Sequence, residues 1–257
     1  MDEECSVMVK LLGRLPAICT PLTGKTREEI MDQLGVVRMH LPDVIEWRAD
    51  FFHELADTEL VLDVIREIKE VTEIPLLFTI RAQHEGGERI VLTDADKLAL
   101  VKLVCAETAV EMVDVETSNG DDFVRDVRAA ADAAGKRLIL SYHNFEYTPD
   151  NAELMKRAQN AEKLGADFVK LAVMPQDKAD VFQLLHVTKE IDEALDVPVI
   201  TMSMGDVGGL SRIIGWVYGS VLTFGVGVEL SAPGQMPVKE LREAIRKMQD
   251  LVPKWEK

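Results

Sequence analysis

Eight short apolar runs, rich in β-branched residues and separated by segments of helical period, constrain this chain more than any other feature. They fall at 17–21, 44–50, 75–81, 112–117, 137–144, 168–174, 198–204 and 221–224. Between them, Leu60, Val61, Val64, Ile65 and Ile68, or Val181, Leu184, Leu185, Thr188 and Ile191, recur at spacings of three and four, which puts each set on one helical face. Val238, Leu241, Ile245, Met248 and Val252 repeat the pattern after the last run. Helix starts are expected at Thr26 with Glu29, at Thr93 with Asp96, and at Thr148 before Pro149. Regular β/α alternation implies parallel strands joined by right-handed crossovers, and eight such units close into a (β/α)8 TIM barrel. A doubly wound open sheet is the alternative topology. The length of 257 residues suits one barrel domain, because such barrels commonly run to about 250 residues. Residues 1–15 are expected to cap the N-terminal mouth.

Strand parity then divides each run into residues facing the helices and residues facing the barrel axis. Ile45, Trp47 and Ala49 suit the helix layer, so Glu46, Arg48 and Asp50 point inward. The same parity turns Asp114, Glu116 and Lys170 inward. Burying an unpaired charge costs several kcal/mol, so these groups must pair with one another or with a charged ligand. A closed ion-pair network that only fixes strand register would also satisfy them. Against that reading stand His143 and Arg81 at strand ends and glycine-rich loops after strands three, seven and eight, namely 85–88, 205–212 and 231–235. Enzymes of this architecture build their sites at that end of the barrel.

Composition excludes several function classes. A formal net charge of −16 without a basic stripe argues against nucleic acid and anionic membrane as partners. Cys5, Cys19 and Cys105 form no C-x-x-C pair, which fits a reducing, cytoplasmic compartment. The start Met1-Asp2-Glu3-Glu4 lacks a signal-peptide pattern, and the longest uncharged run, 213–228, is broken by four glycines, so no membrane span is expected. No nucleotide fingerprint or metal-ligand spacing occurs, so neither cofactor nor metal is expected.

The inward residues permit imine chemistry. An enclosed lysine near Arg48, Arg81 and Arg212 is expected to lose its proton readily and attack a ketone. The imine then acts as an electron sink, and His143 is the natural general base. The arginines suggest a carboxylate on the ligand. His40 and His186 are expected to be structural or surface groups; His53 and His84 remain rivals to His143. Met202 and Met204 are expected to be packing residues. A Schiff-base aldolase or a barrel that merely binds a carboxylate, with Lys170 as counter-ion, are the competing readings.

Seven segments in order carry a resemblance: Glu46-Trp47-Arg48-Ala49-Asp50, Phe78-Thr79-Ile80-Arg81 with Glu85-Gly86-Gly87-Glu88, Ser141-Tyr142-His143-Asn144-Phe145, Lys170-Leu171-Ala172-Val173-Met174-Pro175, Thr201-Met202-Ser203-Met204-Gly205, Ser211-Arg212, and Ser231-Ala232-Pro233-Gly234-Gln235. Together they resemble the type I 3-dehydroquinate dehydratase family. The resemblance implies conversion of 3-dehydroquinate to 3-dehydroshikimate in the shikimate route to chorismate, without metal or organic cofactor, in a homodimeric barrel. It implies Lys170 as the Schiff-base lysine, His143 as the acid/base that takes the C2 proton and helps expel the C1 hydroxyl, and Glu85 as the group that orients His143. By the same resemblance Glu46 and Arg48 hold substrate hydroxyls, Arg81 lines the pocket, Arg212 grips the carboxylate, and Ser231 and Gln235 belong to a closing loop. The first strand matches least well, leaving Thr20 as its candidate substrate contact.

Overall fold

A computed structural model describes residues 15–252. Eight parallel strands, β1 (Ala17–Leu22), β2 (Val44–Arg48), β3 (Leu76–Thr79), β4 (Met112–Glu116), β5 (Arg137–Asn144), β6 (Phe168–Val173), β7 (Val199–Ser203) and β8 (Leu222–Phe224), pair with their neighbours in sequence order, and β8 pairs with β1. A parallel bridge between Val199 and Ser220 closes the ring on the β7 side. The helices are α1 (Arg27–Val37), α2 (Thr58–Val71), α3 (Asp94–Glu107), α4 (Asp121–Ala133), α5 (Asn151–Lys163), α6 (Lys178–Ala194), α7 (Gly205–Ile214) and α8 (Val238–Leu251). This is the (β/α)8 TIM barrel expected from the alternation. No helix among the described residues is long and apolar enough to cross a membrane. The expected N-terminal cap lies, except for Leu15, outside the described residues.

Strand parity holds throughout. Ile45, Trp47, Val113, Val115, Val169, Leu171 and Val173 join the outer core against the helices, where Trp47 meets Phe52 and Phe78 edge-on. Val44, Leu77, Met112, Ile139, Phe168 and Ile200 pack around the axis. This inner layer supports the base of the polar residues above it.

Three local expectations change. The polypeptide leaves β2 at Arg48 and turns through a short 3-10 helix, Ala49–Phe51, because the Asp50 carboxylate must face Arg48 and the Arg81 and Glu88 backbone N–H groups. The helix expected to start at Thr148 is capped instead by Asp150, whose side chain accepts from the Glu153 N–H at 2.8 Å; Thr148 donates to the Met174 carbonyl. The glycine-rich stretch after strand seven is helix α7 rather than a loop. There the Ser211 hydroxyl accepts from the Ser203 N–H at 2.9 Å, and Gly208 lies so close to the Ser203 backbone that a Cβ would collide with it. The Thr26 cap and the Thr93–Asp96 capping box form as expected.

Candidate active site

Apart from the strand-one candidate Thr20, the residues singled out as catalytic or substrate-binding line one pocket at the C-terminal end of the strands. Glu46, Arg48, Arg81, Glu85, His143, Lys170, Arg212, Ser231 and Gln235 surround about 410 Å³ of atom-free space, its mouth included. Gly86, Phe145, Ala172, Met202, Met204, Ala232 and Phe224 complete the wall.

Lys170 projects from β6 into the floor. Its Nζ donates to Asp114 Oδ2 at 2.9 Å and sits 4.6 Å from the centre of the Phe224 ring. Arg48, Arg81 and Arg212 line the same pocket as expected, but the charge in direct contact with Nζ is a carboxylate. Asp114 Oδ1 meets Arg81 at 2.8 Å and accepts from Ser141 at 2.6 Å. Burial opposes its charge, but Arg81, Lys170 and His143 outweigh that cost and hold Asp114 far below the usual carboxylate range. Arg81 also donates to Glu116 at 2.8 Å, and these anions keep its pKa above the ordinary arginine value despite burial.

His143 lies beside Lys170 on the adjacent strand. Glu85 Oε2 accepts from its backbone N–H at 2.8 Å and stands 3.0 Å from its Nδ1. One carboxylate oxygen thus fixes both the main chain and the ring, leaving Nε2 for the pocket. The other oxygen, Oε1, accepts from Ser118 at 2.5 Å. Burial first, then Arg81 and Lys170, push the His143 pKa well below the ordinary histidine value. Burial raises that of Glu85, with Ser118 opposing. The ring is a neutral base at neutral pH. His84 is solvent-exposed and hydrogen-bonds Ser118; His53, His40 and His186 are exposed as well.

Arg48 makes a bidentate pair with Asp50, both bonds 2.8 Å. Its pKa stays above the usual value, since that pairing outweighs burial. Glu46 accepts from Thr79 at 3.0 Å. Arg212, only 1% exposed, differs from the other cations. It donates to the Pro233 carbonyl at 3.0 Å and touches the Met202 sulfur, while its Nε has no hydrogen-bond partner among the described residues. Burial alone pushes its pKa down to about 10. A buried guanidinium without a carboxylate is a receptor for an anion.

Two glycines let the rim close. Gly86, at φ +84°, has the Phe145 ring where a Cβ would stand; Gly234, at φ +76°, has the Gly205 backbone there. The Pro233 carbonyl accepts from both Gly205 N–H and Arg212, so the 231–235 loop is seated over the pocket.

The first strand brings a correction. Ala17 and Cys19 face the axis while Ile18 and Leu22 face the helices, so Thr20 points outward and does not line the pocket. Asp114 and Ser118 received no role from the sequence. Parity located Asp114 inside, but its partner depends on the β4 to β6 distance; Ser118, in a turn after β4, carries no local signal.

The match to known proteins covers nearly all of these elements. The family model for type I 3-dehydroquinase matches residues 18–252. A 3-dehydroquinate dehydratase from Albidiferax ferrireducens is 44% identical over 91% of this chain and 89% of its own length; one from a Geobacillus species is 42% identical over 92% of each. The crystal structure of the enzyme from Geobacillus kaustophilus superposes with a TM-score of 0.90 at 38% identity, covering 91% of both chains. The type I enzyme from Clostridium difficile, solved with covalently modified comenic acid, gives 0.89 at 37% identity over 93% of this chain and 94% of its own. The chain belongs to the type I 3-dehydroquinase family.

Proposed function

We propose that this chain is a hydro-lyase that converts 3-dehydroquinate to 3-dehydroshikimate through an imine on Lys170, as a step of the shikimate route. The observation that carries this reading is that Lys170 and His143, on neighbouring strands, face one enclosed pocket that also holds the carboxylate-free cation Arg212.

The Lys170 ammonium gives up one proton and the freed amine attacks the substrate ketone; that proton returns to the carbinolamine hydroxyl, which leaves as water and so leaves a protonated imine. Its positive charge forms beside Asp114, already 2.9 Å from Nζ, so the site is organised in advance for the charge that develops. His143 removes the C2 proton, and the C–H electrons flow into the imine to give an enamine. The enamine expels the C1 hydroxyl, which takes the proton from His143 and departs as water. Hydrolysis of the remaining imine frees the amine and the product. Proton transfer of this kind contributes about 10²–10⁴ in rate.

Arg212 holds the substrate carboxylate, Glu46 and Arg48 hold hydroxyls, Arg81 lines the pocket and tethers Asp114, and Glu85 keeps His143 in its tautomer. Ser231 and Gln235, hydrogen-bonded to each other, form the seated loop that keeps water from the imine. No metal or organic cofactor takes part, and the enzyme acts as a cytoplasmic homodimer.

Borohydride reduction in the presence of 3-dehydroquinate, followed by peptide mass spectrometry, tests the reading. A reduced adduct on Lys170 with the mass of the ligand is expected, and Lys170→Met should lose the adduct and all measurable turnover while remaining folded. Turnover undiminished in that variant would overturn the assignment.

A further inference from the structure

A second buried lysine lies outside the pocket lining. Lys97 is 5% exposed and sits in the first turn of α3, where the helix dipole disfavours a cation. Its Nζ passes inward to Glu116 Oε2 at 3.1 Å and Asn119 Oδ1 at 3.3 Å, with the Phe123 ring 6.0 Å away. The other Glu116 oxygen receives Arg81 at 2.8 Å and the Ala82 N–H at 3.0 Å. From Arg81 the contacts run to Asp114 and then to Lys170. The result is one buried row of alternating sign, Lys97, Glu116, Arg81, Asp114, Lys170, that links the outer helix layer to the reactive amine.

We infer that Lys97 is a positioning residue for the dehydration: by binding the far side of Glu116, it holds Arg81 and so fixes Asp114 against Lys170. This rests on the function proposed above.

A buried charge of this kind is retained at a cost, since apolar replacement of similar volume is often neutral or stabilising. Without Lys97, Glu116 keeps Arg81 as its sole cationic partner and draws it away from Asp114. The change also reaches the acid/base pair. Facing Glu85 and His143 are Arg48, Arg81, Asp114, Glu116, Lys170, Ser118 and His84. Glu116 is the one whose field is released, and that field favours protonated Glu85. A proton is then retained to higher pH, so activity on the acid side is lost sooner.

The test compares wild type with Lys97→Met, Lys97→Gln and Lys97→Arg on 3-dehydroquinate across pH. We expect Lys97→Met to lower kcat about three- to tenfold, leave KM within about twofold, and move the acid limb of kcat/KM to higher pH. Lys97→Arg should restore both. Should Lys97→Met not fold, Lys97→Gln, which removes the charge but keeps a polar side chain there, carries the test and should show the same displaced limb. Active wild type with neutral variants that keep its profile would overturn the positioning role alone. Wild type without dehydratase activity would overturn the proposed function and this inference together.

Discussion

The two ends of the barrel interior are built from the same strands and obey opposite rules. Toward the strand N-termini the axis is filled by Val44, Leu77, Met112, Ile139, Phe168 and Ile200, an apolar layer held by close packing. Toward the C-termini, one or two pleats further along, stand Glu46, Arg48, Asp114, Glu116, His143 and Lys170. The lower layer gives rigidity without chemistry. The upper one accepts the cost of buried charge, and only a frame as stiff as the lower one keeps its groups at hydrogen-bond distance.

Substitutions in each layer should separate these contributions. The largest effect after loss of Lys170 is expected for His143→Ala, with turnover down about 10²–10⁴ and borohydride trapping on Lys170 retained; loss of trapping would mean that the histidine also acts in imine formation. In the lower layer, Phe168→Ala should cost about 3–5 kcal/mol in denaturant unfolding, while activity per folded molecule stays near wild type. A catalytic defect of similar size would dissolve the division between the layers. The smallest effect is a pH displacement. With the His143 pKa pushed down, wild-type kcat/KM should decline only below about pH 6.5, the ordinary histidine value. Ser118→Ala removes a bond that favours ionised Glu85, so the acid limb should rise and kcat/KM near pH 6 fall roughly two- to tenfold; an unmoved limb would remove Ser118 from the acid/base unit.

The contrast also explains what could be read before the structure. In a closed barrel every strand residue has only two faces, and alternation identified Glu46, Asp114, Glu116 and Lys170 as inward without any knowledge of contacts. The motif order supplied Glu85, Arg212, Ser231 and Gln235. Partners across strands were another matter. That Asp114, not an arginine, stands against Lys170 depends on the stagger of β4 against β6 through β5. Lys97 falls in a helical segment without a clear apolar stripe, where a lysine reads as solvent-facing. Thr20, the candidate left open by the loosest part of the motif match, faces outward because the alternation gives the axis to Cys19.

The isolation of Arg212 has a consequence for how a ligand enters. Arg212 follows β7 and Glu85 follows β3, diametrically opposite in an eight-membered ring, with Glu46 on the same side as Glu85. Arg48 and Arg81 share that side but are paired with Asp50, Asp114 and Glu116, so the cavity is polarised across its width, with a cation free of carboxylate partners at one wall and carboxylate acceptors at the other. An anion bearing hydroxyl groups has one comfortable heading in such a field; turned end for end, it would press like charge against like. On the function proposed above, selection of which carbon meets the amine begins with the alignment of a dipole, before any bond is made.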